Sequence, residues 1–110
     1  MTLKLSRADT LRPEAEDRID RVYAKKINDL IGPLGRLHQR KAERAILGRD
    51  LAGPLIVDEA DRLAIIAAAT KQDAAVAALD VERRRMKAAV RAANTAAEIK
   101  AVLAKLEIMQ

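Results

Sequence analysis

The residue types that most often carry chemistry are sparse in this chain. It has one histidine, His38, and no cysteine, tryptophan or phenylalanine. A nucleophilic triad needs a serine and an acid poised on either side of an imidazole, and one histidine in "RLHQRKAER", a stretch without serine, does not make one. His38 stands next to Leu37 on the edge of an apolar stripe and reads as a boundary residue. The acid pairs Glu14/Asp17 and Asp58/Asp61 sit at i, i+3, a spacing that could set two carboxylates side by side. Both pairs fall at expected helix starts, where capping and the helix dipole already account for them. A metal site in a helical bundle wants Glu-x-x-His on facing helices, and that motif is missing. "GPLG" lacks the lysine and hydroxyl of a phosphate-binding loop and follows no strand. No catalytic residue, metal ligand or cofactor is expected, so the chain reads as non-enzymatic.

The cations are the next candidates. The formal net charge is +5, with twelve Lys/Arg against eight Asp/Glu in residues 1–57 and nine against eight in the rest. Arg36, Arg40 and Arg44 repeat at i, i+4, i+8, one face of a helix, and Arg83, Arg84 and Arg85 form a second basic group. Such residues could meet phosphates. Against this, aromatics for stacking single strands are almost absent. The segment after Gly32 also lacks the Asn/Gln side chains that read base edges. Binding of nucleic acid by these six arginines is therefore the alternative function, not the leading one. No run approaches the ~18 apolar residues of a membrane span. The start of the chain has no uninterrupted apolar region, so the default compartment is the cytoplasm.

What must position these residues is helix. Of the apolar residues, 23 are alanine, the best helix former and a poor core filler. A chain so composed makes good helices with little to hold them together, which predicts a need for partner chains, copies of itself or other proteins. Residues 1–12 read as an arm, with Leu3 and Leu5 alternating against Lys4 and Arg7. Pro13 with Glu14, Glu16 and Asp17 predicts a helix start. The stripe Ala15, Ile19, Val22/Tyr23, Ile27, Leu30/Ile31 then has helical spacing. It continues in phase through "IGPLGRL" to Leu34, Leu37, Ala42 and Ile46. That phase predicts one helix over 13–47 hinged at Gly32 and Pro33, at ~3 kcal/mol for the proline. A true turn is the alternative. Residues 48–57, with a second Gly-Pro, predict a loop, and residues 58–109 an Ala-rich helical region. Capping patterns at Asp58/Asp61, Thr70/Asp73 and Thr95/Glu98 predict helices over about 59–69, 71–93 and 96–109. The threonines could instead be bends in a helix that runs on.

"KKINDLIGPLGRLHQRKAERAILG" resembles a helical segment of small proteins from tailed-bacteriophage tail modules. "AAATKQDAAVAALDVERRRMKAAVRAANTAAEIKAVLAKL" is similar to the alanine-rich, threonine-capped helices that often close those proteins. The resemblance spans about residues 20–106. It implies a tail or tail-assembly component, located in the virion, that binds other virion proteins and carries no catalytic residues.

The expected fold is thus all-α, an elongated helical hairpin or small bundle with a long proline-kinked first helix. The expected function is structural or assembly work by helix–helix contact. The stripes expected to meet partners are Ile27, Leu30, Leu34 and Leu37 around the hinge, and Ile99, Val102, Leu103 and Leu106 near the end.

Overall fold

A computed structural model describes residues 6–48 and 54–108. The protein is all-α: α1 spans Arg7–Ile31, α2 Gly35–Leu47, α3 Glu59–Ala92 and α4 Ala96–Ile108. There is no strand among the described residues. Of the expected arm, residues 1–5 lie outside them, while Arg7 to Arg12 already belong to α1.

The start of α1 is set by Ser6, not Pro13. Asp9 N–H donates to Ser6 Oγ at 3.1 Å, and the Asp9 carboxylate accepts from Ser6 N–H and from its hydroxyl at 2.8 Å. This reciprocal capping satisfies the first free backbone donors. Pro13 then lies inside the helix, on its exposed side.

"IGPLG" separates two helices. Gly32 has φ +76° and donates to Asn28 C=O at 2.8 Å, so α1 ends there in a left-handed residue. Gly35 N–H donates to Gly32 C=O at 3.3 Å, and Leu34 has φ −98°, ψ 20°. These are the marks of a type I turn, with Pro33 at its second position and Gly35 at its fourth. Gly35 is needed for space, because a Cβ there would run into Ile31 Cγ2. The single hinged helix over 13–47 is thus replaced by α1, a turn and α2. Gly48, φ +67°, closes α2 with its N–H on Arg44 and Ala45 carbonyls.

Asp58 caps α3, accepting from Asp61 N–H at 2.8 Å. The helix then passes through Thr70 without a break, so the expected helices over 59–69 and 71–93 are one. Thr70 Oγ1 donates back to Ile66 C=O at 2.9 Å, and that hydroxyl does not cap a new helix. Thr95 does: Glu98 N–H donates to its Oγ1 at 3.2 Å, and the Glu98 carboxylate accepts from Asn94 N–H.

The chain divides into two compact units, residues 1–27 with 78–110, and residues 28–77. In the first, α1 and the second half of α3 run antiparallel, with α4 packed on them. Ile19, Tyr23, Val90, Ile99 and Leu106 are fully buried. Ala8, Ala15 and Ala93 fill the gaps between them. Across this seam Asp20 accepts from Arg83 and Lys87, both at 2.9 Å, and Glu16 from Arg91 at 2.7 Å. Arg12 reaches Ala93 C=O, and Arg18 reaches Glu107 on α4. The second unit holds the end of α1, the turn, α2, residues 54–58 and the first half of α3. Its buried residues, among those described, are Ala45 and Ile56.

Candidate interaction surface

The two halves of the expected contact set have opposite fates. Ile99 and Leu106 are fully buried in the first unit, and Val102 and Leu103 pack against that core. These four pack within the chain's own first unit. Ile27 is half-buried in the same unit. Leu30, Leu34 and Leu37 are 42%, 55% and 37% exposed. They are joined in residues 28–77 by exposed Ile46, Leu47, Val57 and Leu63, whereas the first unit exposes Val81 and Ile108. The expected hinge residues, Gly32 and Pro33, form the turn beside this surface.

Within the second unit, α2 and the first half of α3 leave an open groove of about 1050 Å³. Ile31 and the turn close one end. From α2, Ala42 and Ile46 face into it, and from α3, Ala64, Ile65, Ala68, Ala69 and Val76. Arg36, His38, Gln39, Lys41, Glu43, Gln72 and Asp73 supply its polar lining. Arg62, held by Glu59 at 2.6 Å, donates to Ala45 C=O at 3.0 Å and ties α3 to α2. That guanidinium keeps the Glu59 carboxyl below its ordinary value by direct hydrogen bonding. Gln39 donates to Glu43 at 3.4 Å along α2.

The basic set is also divided. Arg83 is committed to Asp80 and Asp20, and Arg84 to Asp80 at 2.6 Å. Hydrogen bonds from Lys87 and Arg83 hold the Asp20 carboxyl below its ordinary value, and those from Arg83 do the same to Asp80. Arg83, paired to both acids, has little left for phosphate, whereas the Arg84 side chain stays 73% exposed. Arg85 is exposed on the same helix. Arg36, Arg40 and Arg44 are exposed along α2. His38, also exposed, belongs to the polar lining of the groove. No cluster of three or more His, Cys, Asp or Glu that could hold a metal occurs among the described residues. No described helix is long and apolar enough to cross a membrane.

Comparisons with protein-family models, curated proteins and solved structures find no match to this chain.

Sequence reasoning missed the groove. Its apolar lining mixes alanine with Ile31, Ile46, Ile65 and Val76, and such residues at helical spacing signal helix without saying which side faces a gap. The available signal was the pairing of a Leu/Ile-bearing helix, 35–47, with an alanine-rich one, 59–77, across a short loop.

Proposed function

We propose that the chain is a non-enzymatic assembly protein that works through helix contacts made by residues 28–77. The observation that carries this reading is the gathering of Leu30, Leu34, Leu37, Ile46, Leu47, Val57 and Leu63 on the surface of that unit. Large apolar residues scattered singly on a surface are ordinary, but seven exposed within the fifty residues of this unit, against Val81 and Ile108 among the described residues of the other, favour a contact surface here. The finer placement, in the tail module of a bacteriophage virion, is supported by the resemblance of residues 20–106, and detection of the chain in purified tail particles tests it.

Retention of duplex DNA tests the protein-contact reading against its rival. Exposed arginines on α2 give weak binding that fades by about 0.15 M salt, because phosphate contacts are lost with counterion competition. Tight binding at that salt, abolished when Arg36, Arg40 and Arg44 are changed to Ala, would replace this function with a nucleic-acid one.

A further inference from the structure

We propose that the groove between α2 and α3 is filled by the same unit of a second copy of this chain, two α2 and two α3 segments making a four-helix arrangement. This rests on the reading of residues 28–77 as a protein-contact surface and names the partner.

The first ground is the weakness of the unit alone. A unit whose fully buried residues, among those described, are Ala45 and Ile56, and which leaves a groove of about 1050 Å³ open, has a small core for its own packing. Ile46, 69% exposed, lines the α2 wall, and Ala64, Ala68 and Ala69 line the α3 wall beside Ile65 and Val76. Bulky side chains and alanines stand on both walls, so each wall offers its copy both knobs and gaps. Ile46 of each copy can sit over the alanines of the other, as knobs enter holes in helical bundles.

The second ground is charge. A two-fold interface sets the same patch against itself, so a patch of one sign repels its copy. The groove edge is instead balanced, with Arg36 and Lys41 on α2 against Glu43 on α2 and Asp73 on α3. Arg36, Lys41 and Asp73 form no ion pair with any described residue, unlike the laced cations of the first unit. Crossing α2 of one copy over α3 of the other sets Arg36 against Asp73 and Asp73 against Arg36. An acidic helix from another protein is less well matched, since Glu43 and Asp73 would face it across the groove.

The test is sedimentation or light scattering of the full chain over a range of concentrations, with circular dichroism to confirm that each variant keeps its helices. The expected species is a dimer of 12.0 kDa chains. Arg36→Glu and Asp73→Arg, each placing like charges together twice, weaken it by roughly tenfold, and the double variant restores it. Ala68→Arg, at an exposed helical position, blocks the groove and yields monomer, and Ile46→Glu does the same from the other wall. A concentration-independent monomer would overturn the proposal, as would a dimer indifferent to Ala68→Arg and Ile46→Glu, or a double variant no better than the singles. A monomer that also fails to hold DNA leaves the assembly function standing with a different protein partner. Tight DNA binding removes that function itself.

Discussion

Replacing Ile99 by Ala separates a residue that holds the chain together from one that waits for a partner. Ile99 is fully buried, at the start of α4, within a core whose other large members are Tyr23, Ile19, Val90 and Leu106. Truncation removes buried methyl and methylene groups and leaves a cavity that rigid helices only partly close, at about 2–5 kcal/mol. Neighbouring alanines, Ala8, Ala15 and Ala93, cannot swing into the space, which places the loss near 3 kcal/mol, in the middle of that range. Against a total of roughly 5–15 kcal/mol for a small domain, a loss of that size is large. Ile108, on the same helix but 86% exposed, is the control: Ile108→Ala should change stability by less than ~0.5 kcal/mol. Urea unfolding followed by far-ultraviolet circular dichroism reads both, at a protein concentration held fixed. An Ile99→Ala loss below about 1 kcal/mol, or an equal loss at Ile108, would refute the assignment of α4 to the chain's own core.

Three further substitutions address the turn and the ion pairs. Gly32→Ala should cost about 1–2 kcal/mol, because φ +76° is strained for any residue with a Cβ. Pro33→Ala should leave helicity nearly unchanged, and a marked gain in helical signal would mean that α1 and α2 can fuse. The Asp20 carboxyl is held low in the folded state by Lys87 and Arg83, so its contribution is fully present above its unfolded pKa of about 3.9 and is lost as pH falls through the lower folded value. Asp20→Asn should therefore flatten the acid limb of the stability curve below about pH 4 while lowering stability at neutral pH, and an unchanged acid limb would remove Asp20 from that account.

The all-α fold was legible because alanine content and helical spacing are properties of each segment alone. The capping at Asp58 and Thr95 was legible for the same reason, since a side chain three residues from its backbone partner needs no tertiary help. "SRAD" carried the same chemistry at Ser6 and Asp9, but Pro13 and its acids offered a stronger local signal further along. Thr70 shows the reverse error. Its hydroxyl had two uses, and the flanking alanines favoured continuing the helix. "IGPLGRL" kept apolar phase because Gly32, Pro33 and Leu34 take up nearly one helical turn of sequence without being helix. Spacing counts residues and cannot see φ. The split among the contact residues was not legible at all. An apolar stripe that meets its own chain, such as Ile99 to Leu106, obeys the same periodicity as one that meets another.

The two units use their apolar residues in opposite ways, and composition makes that contrast meaningful. A chain with few large apolar side chains gains most by burying each of them, at roughly 1.5–3 kcal/mol apiece. Residues 1–27 with 78–110 do so, letting alanines bring helices close enough for Ile19, Tyr23, Ile99 and Leu106 to interlock. Residues 28–77 leave Leu34, Ile46, Leu47 and Leu63 each more than half exposed, and Ile46 lines the groove. Burial of even those four would return several kcal/mol, enough to offset much of the cost of holding two chains together. Charge then decides what kind of surface can approach. The first unit spends its cations on Asp20, Asp80 and Glu16. Arg36, Lys41 and Asp73 at the groove stay without an ion-pair partner among the described residues. A surface that offers apolar area together with open charges of both signs selects a partner with the same mixture, and a second copy of this chain supplies it.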